Sequence, residues 1–279
     1  MKNIPTQVSD SRFRELDQIK GVAVICMIIF HSTYYPHICG FHEFQYDTLF
    51  MNVFAKVAQV IFLFSVGINL QLANEKNKQK QMKQMSVLSK TSVDVNQYLI
   101  SQRQKTRIIK LTFFAMIISV WTYLVFDTDF VKFGILHFIA TASLILLYID
   151  NPIKIIVSSL IIYFMYNRKP LLFHRLFPSY IGFVMGVNNN YSAIDHFSLI
   201  PWIILPSTGM LFAKYLLPSL PLYNREICSN IDLFPDENCK NILSEYLQLI
   251  GKKSLEIYMI HWIVLYIVFN ILYLRFYHK

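Results

Sequence analysis

Three histidines stand in or just beyond the first long apolar run of this sequence. His31 lies inside the run, and His37 and His42 follow it. An imidazole within a membrane helix is costly unless it has a partner or a task, so His31 indicates a functional site. Histidine also changes its protonation state near neutral pH, which suits it to proton transfer. The pattern therefore predicts a histidine-based site in the outer half of the first span.

Basic residues mark the opposite end of the same run. Lys20 lies eleven residues before His31, which returns to nearly the same helix face about 16 Å further along. Arg14 precedes Lys20 in the charged approach to the run. One helix face is therefore predicted to present cationic groups at one membrane surface and an imidazole towards the other.

Two further histidines fall in predicted spans. His137 follows the short connection between the third and fourth apolar segments, on the same predicted side as His31. In the last span, Ser254, Tyr258 and His261 share one helix face at positions i, i+4 and i+7. For His261, a structural hydrogen bond between helices and a catalytic role are both open.

The histidines around the first outer loop also raise the question of a metal. The sequence contains no HExxH, HxH or paired-cysteine pattern, and the carboxylates of this loop are limited to Glu43 and Asp47. We therefore expect no metal site. No GxSxG, Walker or dinucleotide-binding motif occurs either.

The composition indicates which class of protein must position these residues. Of the 279 residues, 54% are hydrophobic and only 15% are charged, values that are typical of a polytopic membrane protein. The net charge of +9 is then a topology signal, and we expect no nucleic-acid partner. The predicted fold class is all-α, a transmembrane helix bundle that forms a single domain over residues 1–279.

Seven apolar segments have roughly the length needed to span a membrane. They lie near residues 19–36, 50–72, 108–126, 134–149, 152–166, 197–217 and 254–274. An eighth segment, 176–187, is short and contains proline and glycine, so we interpret it as re-entrant. Seven spans place more lysine and arginine on the inner side than eight do, which favours seven and leaves eight as the alternative. The polar segment 73–106 is predicted to be a mobile cytosolic loop.

Five blocks of this sequence resemble the catalytic-domain family of heparan-alpha-glucosaminide N-acetyltransferase, especially its small bacterial members. The blocks are RFRELDQIKGVAVICMIIFH (12–31), IFLFSVGINL (61–70), VKFGILHFIATASLI (131–145), SLIPW (198–202) and IGKKSLEIYMIH (250–261). The chain departs from the family pattern at a few positions. Lys20 replaces an arginine, Ala140 and Ile203 replace glycines, and Tyr34 and Tyr35 stand where an acidic residue is common.

The resemblance implies an enzyme that moves an acetyl group from cytosolic acetyl-coenzyme A to a sugar amine or hydroxyl across the membrane. It implies that His42 is the catalytic histidine and that His31 occupies a polar position of the active site, with His37 as a rival for either role. His137 completes the predicted catalytic set. The residues expected to hold the coenzyme at the inner face are Arg14, Lys20, Lys252, Lys253, Ser254 and His261.

We expect an integral, multi-pass membrane protein with a cytosolic N-terminus, in the inner membrane if the chain is bacterial. Its expected partners are the lipid bilayer, acetyl-coenzyme A and a glycan or other small acceptor, with a homodimer as an option. A catalytically inactive scaffold and a small-molecule transporter are the alternatives, although the inverted repeats typical of transporters are not evident in the sequence. Direct transfer and an acetyl-histidine intermediate both stay open.

Overall fold

The computed structural model of the protein describes residues 13–38, 41, 43, 47–87, 102–149, 151–187, 191, 193–219 and 237–277. Within these ranges the chain is almost entirely helical and forms no strand, which confirms the predicted all-α class. The helices are α1 (Arg14–Ile38), α2 (Leu49–Val87), α3 (Gln102–Phe126), α4 (Ile135–Tyr148), α5 (Pro152–Arg168), α6 (Pro170–Leu176), α7 (Ser179–Met185), α8 (Leu199–Trp202), α9 (Ile204–Leu211), α10 (Glu237–Lys252) and α11 (Ser254–Tyr277).

Several of these helices have the length and composition needed to cross a membrane. In the described part of the chain, five such segments are Arg14–His37, Leu49–Gln79, Gln102–Asp129, Leu199–Ser219 and Ser254–Leu272. Two shorter helices, α4 and α5, coincide with the other two predicted spans. The structure therefore supports a membrane bundle of about seven spans. α7 has seven residues and is about 10 Å long, which is too short to cross a bilayer.

The predicted loop at 73–106 is helical at both of its ends. α2 continues to Val87 and α3 begins at Gln102, while residues 88–101 lie outside the described ranges. Glutamine, lysine, glutamate and methionine are all good helix formers, so this polar stretch extends a helix without needing an apolar face. The connection is consequently shorter than the sequence predicted.

A helix that the sequence did not predict lies within the connection before the last span. α10 places Leu243, Leu247 and Ile250 on one face at positions i, i+4 and i+7. Leu247 is buried. The helix is amphipathic rather than uniformly apolar, so a search for spanning segments passes over it.

The structure divides into two compact units. The first unit comprises Met1–Phe62 and Ser229–Lys279, and the second comprises Leu63–Cys228. α1, the beginning of α2, α10 and α11 therefore belong to the first unit, and the remaining helices belong to the second.

In the first unit, α1 and α11 run in the same direction. His31 contacts His261, and the ring of Phe41, three residues after the end of α1, contacts that of Phe269 further along α11. Two parallel helices begin on the same side of a membrane. If α1 is the first span and α11 the last, the number of crossings is odd, which favours seven spans over eight.

α10 runs antiparallel to α1 and packs closely on it through two glycines. A Cβ atom added to Gly21 would overlap the carbonyl oxygen of Leu247, and one added to Gly251 would overlap the carbonyl oxygen of Asp17. Small residues at such positions let two helix backbones approach closely. This contact aligns the start of α1 with the junction between α10 and α11.

In the second unit, the connection between α3 and α4 is hydrogen-bonded to the segment that precedes α8. The backbone N–H of Phe197 donates to the carbonyl oxygen of Phe133 at 2.9 Å, and that of Ile194 donates to the carbonyl oxygen of Asp129 at 2.9 Å. These hydrogen bonds hold the beginning of α4, and with it His137, in a defined position.

Candidate active site

His31 in α1 and His261 in α11 form a hydrogen-bonded pair. Nε2 of His261 lies 3.1 Å from Nδ1 of His31, and the two ring centroids are 5.0 Å apart. His31 is half-buried and His261 is buried. The interhelical hydrogen bond that the sequence left open for His261 is therefore present, and it joins two histidines that were predicted to belong to different sites.

The neighbouring hydrogen bond of His261 defines how protons are placed in the neutral pair. Nδ1 of His261 lies 3.1 Å from the carbonyl oxygen of Ile257. A carbonyl oxygen can only accept, so Nδ1 of His261 must donate and its Nε2 is the acceptor. His31 then donates from Nδ1 to His261, and its own Nε2 keeps a lone pair. His31 is thus oriented as a hydrogen-bond acceptor or proton acceptor.

Aromatic side chains surround this histidine pair. The rings of Phe30, Tyr34, Tyr35 and Trp262 have centroids between 5.4 and 6.3 Å from that of His31. Tyr35 and Trp262 are buried. Large apolar rings limit the access of water, and electrostatic interactions are stronger where water is excluded.

The predicted coenzyme-binding residues, except His261, lie towards the other end of the first unit. Because Gly251 packs against the backbone of Asp17, Lys252 and Lys253 lie at the level where α1 begins. Arg14, Lys252 and Lys253 are exposed there. α11 begins beside them at Ser254, and the unsatisfied N–H groups of a helix N-terminus favour anions. The arrangement can attract a polyanion.

Lys20 differs from the other cationic residues because it is buried in an ion pair. Its Nζ lies 3.2 Å from Oδ1 of Asp17, and the two side chains are 11% and 1% exposed. The pair has the i, i+3 spacing that brings charged side chains together on a helix. This spacing is visible in the sequence, from which Lys20 was predicted only as a ligand of the coenzyme.

His137, the third predicted catalytic histidine, lies in the second unit in the first turn of α4. Its Nε2 is 3.3 Å from Oγ of Ser119, whose hydroxyl donates to the carbonyl oxygen of Val131 at 2.6 Å. Since that hydroxyl proton is engaged, Ser119 accepts from His137 Nε2–H. His137 is therefore not placed to deprotonate Ser119, and its Nδ1 keeps the lone pair.

Beside α4 the structure contains a half-buried carboxyl group, that of Asp195, which was not among the predicted site residues. Oδ2 of Asp195 accepts a hydrogen bond from the backbone N–H of Ile135 at 3.3 Å. Burial raises the pKa of Asp195 to about 6, and the bond from Ile135 opposes this rise only in part. Burial also lowers the pKa of the adjacent His196, so His196 offers Asp195 no positive charge at neutral pH.

We expect the change Asp195→Asn to stabilise the protein at pH 7.5 but not at pH 4. A carboxyl group whose pKa is raised in the folded state contributes stability below its unfolded pKa, and that contribution is lost as pH rises through about 6. Ionised Asp195 therefore costs on the order of 2 kcal/mol at pH 7.5. Thermal unfolding in detergent at both pH values measures this, with the exposed Asp129→Asn as the control. Equal melting temperatures of Asp195→Asn and the unmodified protein at pH 7.5 would contradict the assignment.

His42 lies outside the described residues, so its role stays a prediction. His37 lies in the last turn of α1 and is half-buried. Among the described residues, no three histidine, cysteine, aspartate or glutamate side chains are grouped as metal ligands, and the expected absence of a metal also stays a prediction.

Comparison with known proteins adds one match. The family described as heparan-alpha-glucosaminide N-acetyltransferase, catalytic, matches residues 12–263. This match runs from the residues before α1 to the middle of α11 and includes both members of the histidine pair. No curated protein and no solved structure matches the chain.

Proposed function

Because the chain belongs to the heparan-alpha-glucosaminide N-acetyltransferase catalytic family, we propose that it is a membrane acetyltransferase. It takes an acetyl group from cytosolic acetyl-coenzyme A and delivers it to an amine or hydroxyl group of a sugar on the other side. The observation that supports this best is the hydrogen-bonded pair of His31 and His261, which lies between two membrane helices. A second supporting observation is the basic cluster of the exposed residues Arg14, Lys252 and Lys253, which lies near the start of the same two helices.

The basic cluster is the proposed binding site for the phosphates of the coenzyme. Arg14, Lys252 and Lys253 supply positive charge, and α11 begins beside them at Ser254. His31 lies about 16 Å along α1 from Lys20. An extended pantetheine arm that follows α1 and α11 can bring its thioester to the histidine pair while the phosphates stay at the membrane surface.

The chemical step follows from the proton positions in the pair. The acceptor amine or hydroxyl attacks the thioester carbonyl carbon, the carbon–sulfur bond breaks, and coenzyme A leaves as a thiolate. Nε2 of His31 receives the proton of the attacking group, while His261 holds the His31 ring through the Nδ1–H hydrogen bond. Return of that proton to the thiolate completes the reaction.

The resemblance also implies a catalytic role for His42, which acts either as a second proton acceptor beside His31 or as the carrier of the acetyl group. These two roles differ in whether the enzyme itself becomes acetylated. A carrier histidine would take the acetyl group from the thioester before the acceptor attacks it. A base would leave the enzyme unlabelled throughout.

Incubation of the purified protein with acetyl-coenzyme A that is radiolabelled in the acetyl group tests the function. Transfer of label to glucosamine in the presence of enzyme supports it, and the absence of binding, transfer and hydrolysis overturns it in favour of an inactive scaffold. Label that is retained on the protein without an acceptor, and that is lost with His42→Ala, would identify an acetyl-histidine intermediate. Transfer without retained label favours direct attack.

Lysine substitutions are expected to separate coenzyme binding from stability. Lys253→Ala removes an exposed charge, so we expect weaker binding of coenzyme A at low salt and an unchanged melting temperature. Lys20→Ala breaks a buried ion pair and is expected to cost about 3 to 5 kcal/mol of stability. Isothermal titration and thermal unfolding measure the two effects, and the exposed Lys154→Ala is the control. The assignment is wrong if Lys253→Ala binds coenzyme A as tightly as Lys154→Ala at low salt.

A double variant tests whether Lys20→Ala destabilises the protein because it breaks the buried ion pair with Asp17. The double variant with Asp17→Asn and Lys20→Met has no buried charge at this position. We expect it to recover much of the stability that Lys20→Ala loses. If Lys20→Ala melts at the same temperature as the unmodified protein, the ion pair does not stabilise the first unit.

A further inference from the structure

Trp262 has a buried hydrogen-bond donor that the proposed chemistry has not yet used. Its side chain is 5% exposed, and its indole Nε1–H has no hydrogen-bond partner among the residues that the structure describes. An indole nitrogen can only donate. Buried tryptophan N–H groups usually find a partner, and a donor without one costs about 1 to 3 kcal/mol.

The position of Trp262 places this donor beside the histidine pair. Trp262 follows His261 in α11, and its ring centroid is 5.7 Å from that of His31. Tyr35 contacts the ring of Trp262 edge to face at 4.8 Å. The indole is therefore packed against the rings of Tyr35 and His31, both on α1, and packing rather than a hydrogen bond determines its orientation.

The two groups have complementary hydrogen-bonding capacity. His31 presents an unprotonated nitrogen, which accepts, and Trp262 presents an N–H, which donates. Acyl transfer needs both, because the attacking group must lose a proton while the carbonyl oxygen becomes negative. A donor that is already held in a buried site requires no reorganisation when this charge develops.

We propose that the Nε1–H of Trp262 hydrogen-bonds the carbonyl oxygen of the donor thioester and stabilises the oxyanion that forms during acetyl transfer. This inference rests on the proposed acetyltransferase function and adds a catalytic residue to it. When the amine or hydroxyl attacks, a bond forms to the carbonyl carbon and the carbonyl π electrons move onto its oxygen. The oxyanion accepts from Trp262, collapses to the amide or ester, and expels the thiolate of coenzyme A.

The change Trp262→Phe tests the proposal because it keeps an aromatic ring and removes the N–H. Removing one oxyanion donor typically lowers kcat by about 10² to 10³-fold, and we expect a loss of this size. KM for the sugar acceptor should stay nearly unchanged, since the acceptor does not contact the indole. Trp121→Phe, a tryptophan of α3 in the second unit, is the matched control and should keep its rate.

Ligand pairs give a readout that a purely structural role would not change. Acetyl-coenzyme A has the carbonyl oxygen, whereas S-ethyl-coenzyme A is a thioether of the same length without it. The unmodified protein should prefer acetyl-coenzyme A, and Trp262→Phe should reduce that preference by roughly two- to tenfold, the effect of one hydrogen bond. Affinity for S-ethyl-coenzyme A should not change.

A second replacement is the control in case phenylalanine leaves a cavity and the site unfolds. Site-specific incorporation of the benzothiophene analogue of tryptophan keeps the ring size and replaces N–H by sulfur. Loss of kcat in this variant, with a normal melting temperature, supports the proposal. A rate like that of the unmodified protein in either folded variant overturns it while leaving the acetyltransferase function intact, and so does a loss confined to KM of the acceptor. If the unmodified protein transfers no acetyl group, the function and this inference fail together.

Discussion

Replacing His31 by alanine is expected to lower acetyl transfer by roughly 10² to 10⁴-fold, the usual cost of losing a general base. The reason is the lone pair on its Nε2, which the hydrogen bond to His261 leaves available. Transfer of label from acetyl-coenzyme A to glucosamine measures the rate, and the amount of folded protein is measured by gel filtration in detergent. His174→Ala removes an exposed histidine of α6 and should keep the rate of the unmodified protein.

His261 should act through His31 and not independently of it. Loss of His261 removes the acceptor that orients His31, so we expect roughly a tenfold or larger decrease in rate. In a protein that already lacks His31, the same change should matter little, because residues that act as a unit are not additive. Additive losses in the double variant would show that the histidines work separately. Normal rates of acetyl transfer for His31→Ala, His42→Ala and His37→Ala alike would mean that none of these histidines is catalytic.

The second large effect is expected at the contact between α1 and α10. Gly251→Ala places a Cβ atom against the carbonyl oxygen of Asp17, which is backbone and cannot rotate away. The two helices must separate, and overpacking of this kind costs about 3 kcal/mol or more. We expect little folded protein in the membrane and a lower melting temperature for whatever is recovered. Thermal unfolding in detergent measures this.

A neighbouring substitution provides the control for this helix contact. Nε2 of Gln18 in α1 donates to Oγ of Ser244 in α10 at 2.6 Å. Gln18→Ala removes one partly buried hydrogen bond and should cost only about 1 kcal/mol. If Gly251→Ala and Gln18→Ala destabilise the protein equally, the close approach of the two backbones is not important for stability.

The sequence was sufficient to predict the elements of the fold but not their partners. His31 was recognisable because an ionisable residue interrupts an apolar run, and the helices α1 to α5, α9 and α11 followed from the apolar segments. The pairing of His31 with His261 was not predictable, because 230 positions separate them and helix periodicity says nothing about which helices meet. Only the packing of α1 beside α11 brings them together.

Two other features of the site differ in how much signal they left in the sequence. Asp17 and Lys20 have the spacing of a helical ion pair, so their contact could have been predicted from residues alone. Trp262 left no comparable signal, because an unpartnered N–H becomes visible only when every neighbouring acceptor has been placed.

The first unit is formed by the two ends of the chain, and this affects how the protein folds during its synthesis. α1 and the beginning of α2 leave the ribosome first, whereas α10 and α11 follow after about 175 further residues. At synthesis rates of about 5 to 20 residues per second, that interval lasts on the order of ten to thirty seconds. During this time the polar face of α1 resides in the translocon or the bilayer without the helices it packs against. We therefore expect the nascent chain to depend on an insertase or chaperone until its last helix emerges, and to become resistant to proteases only then.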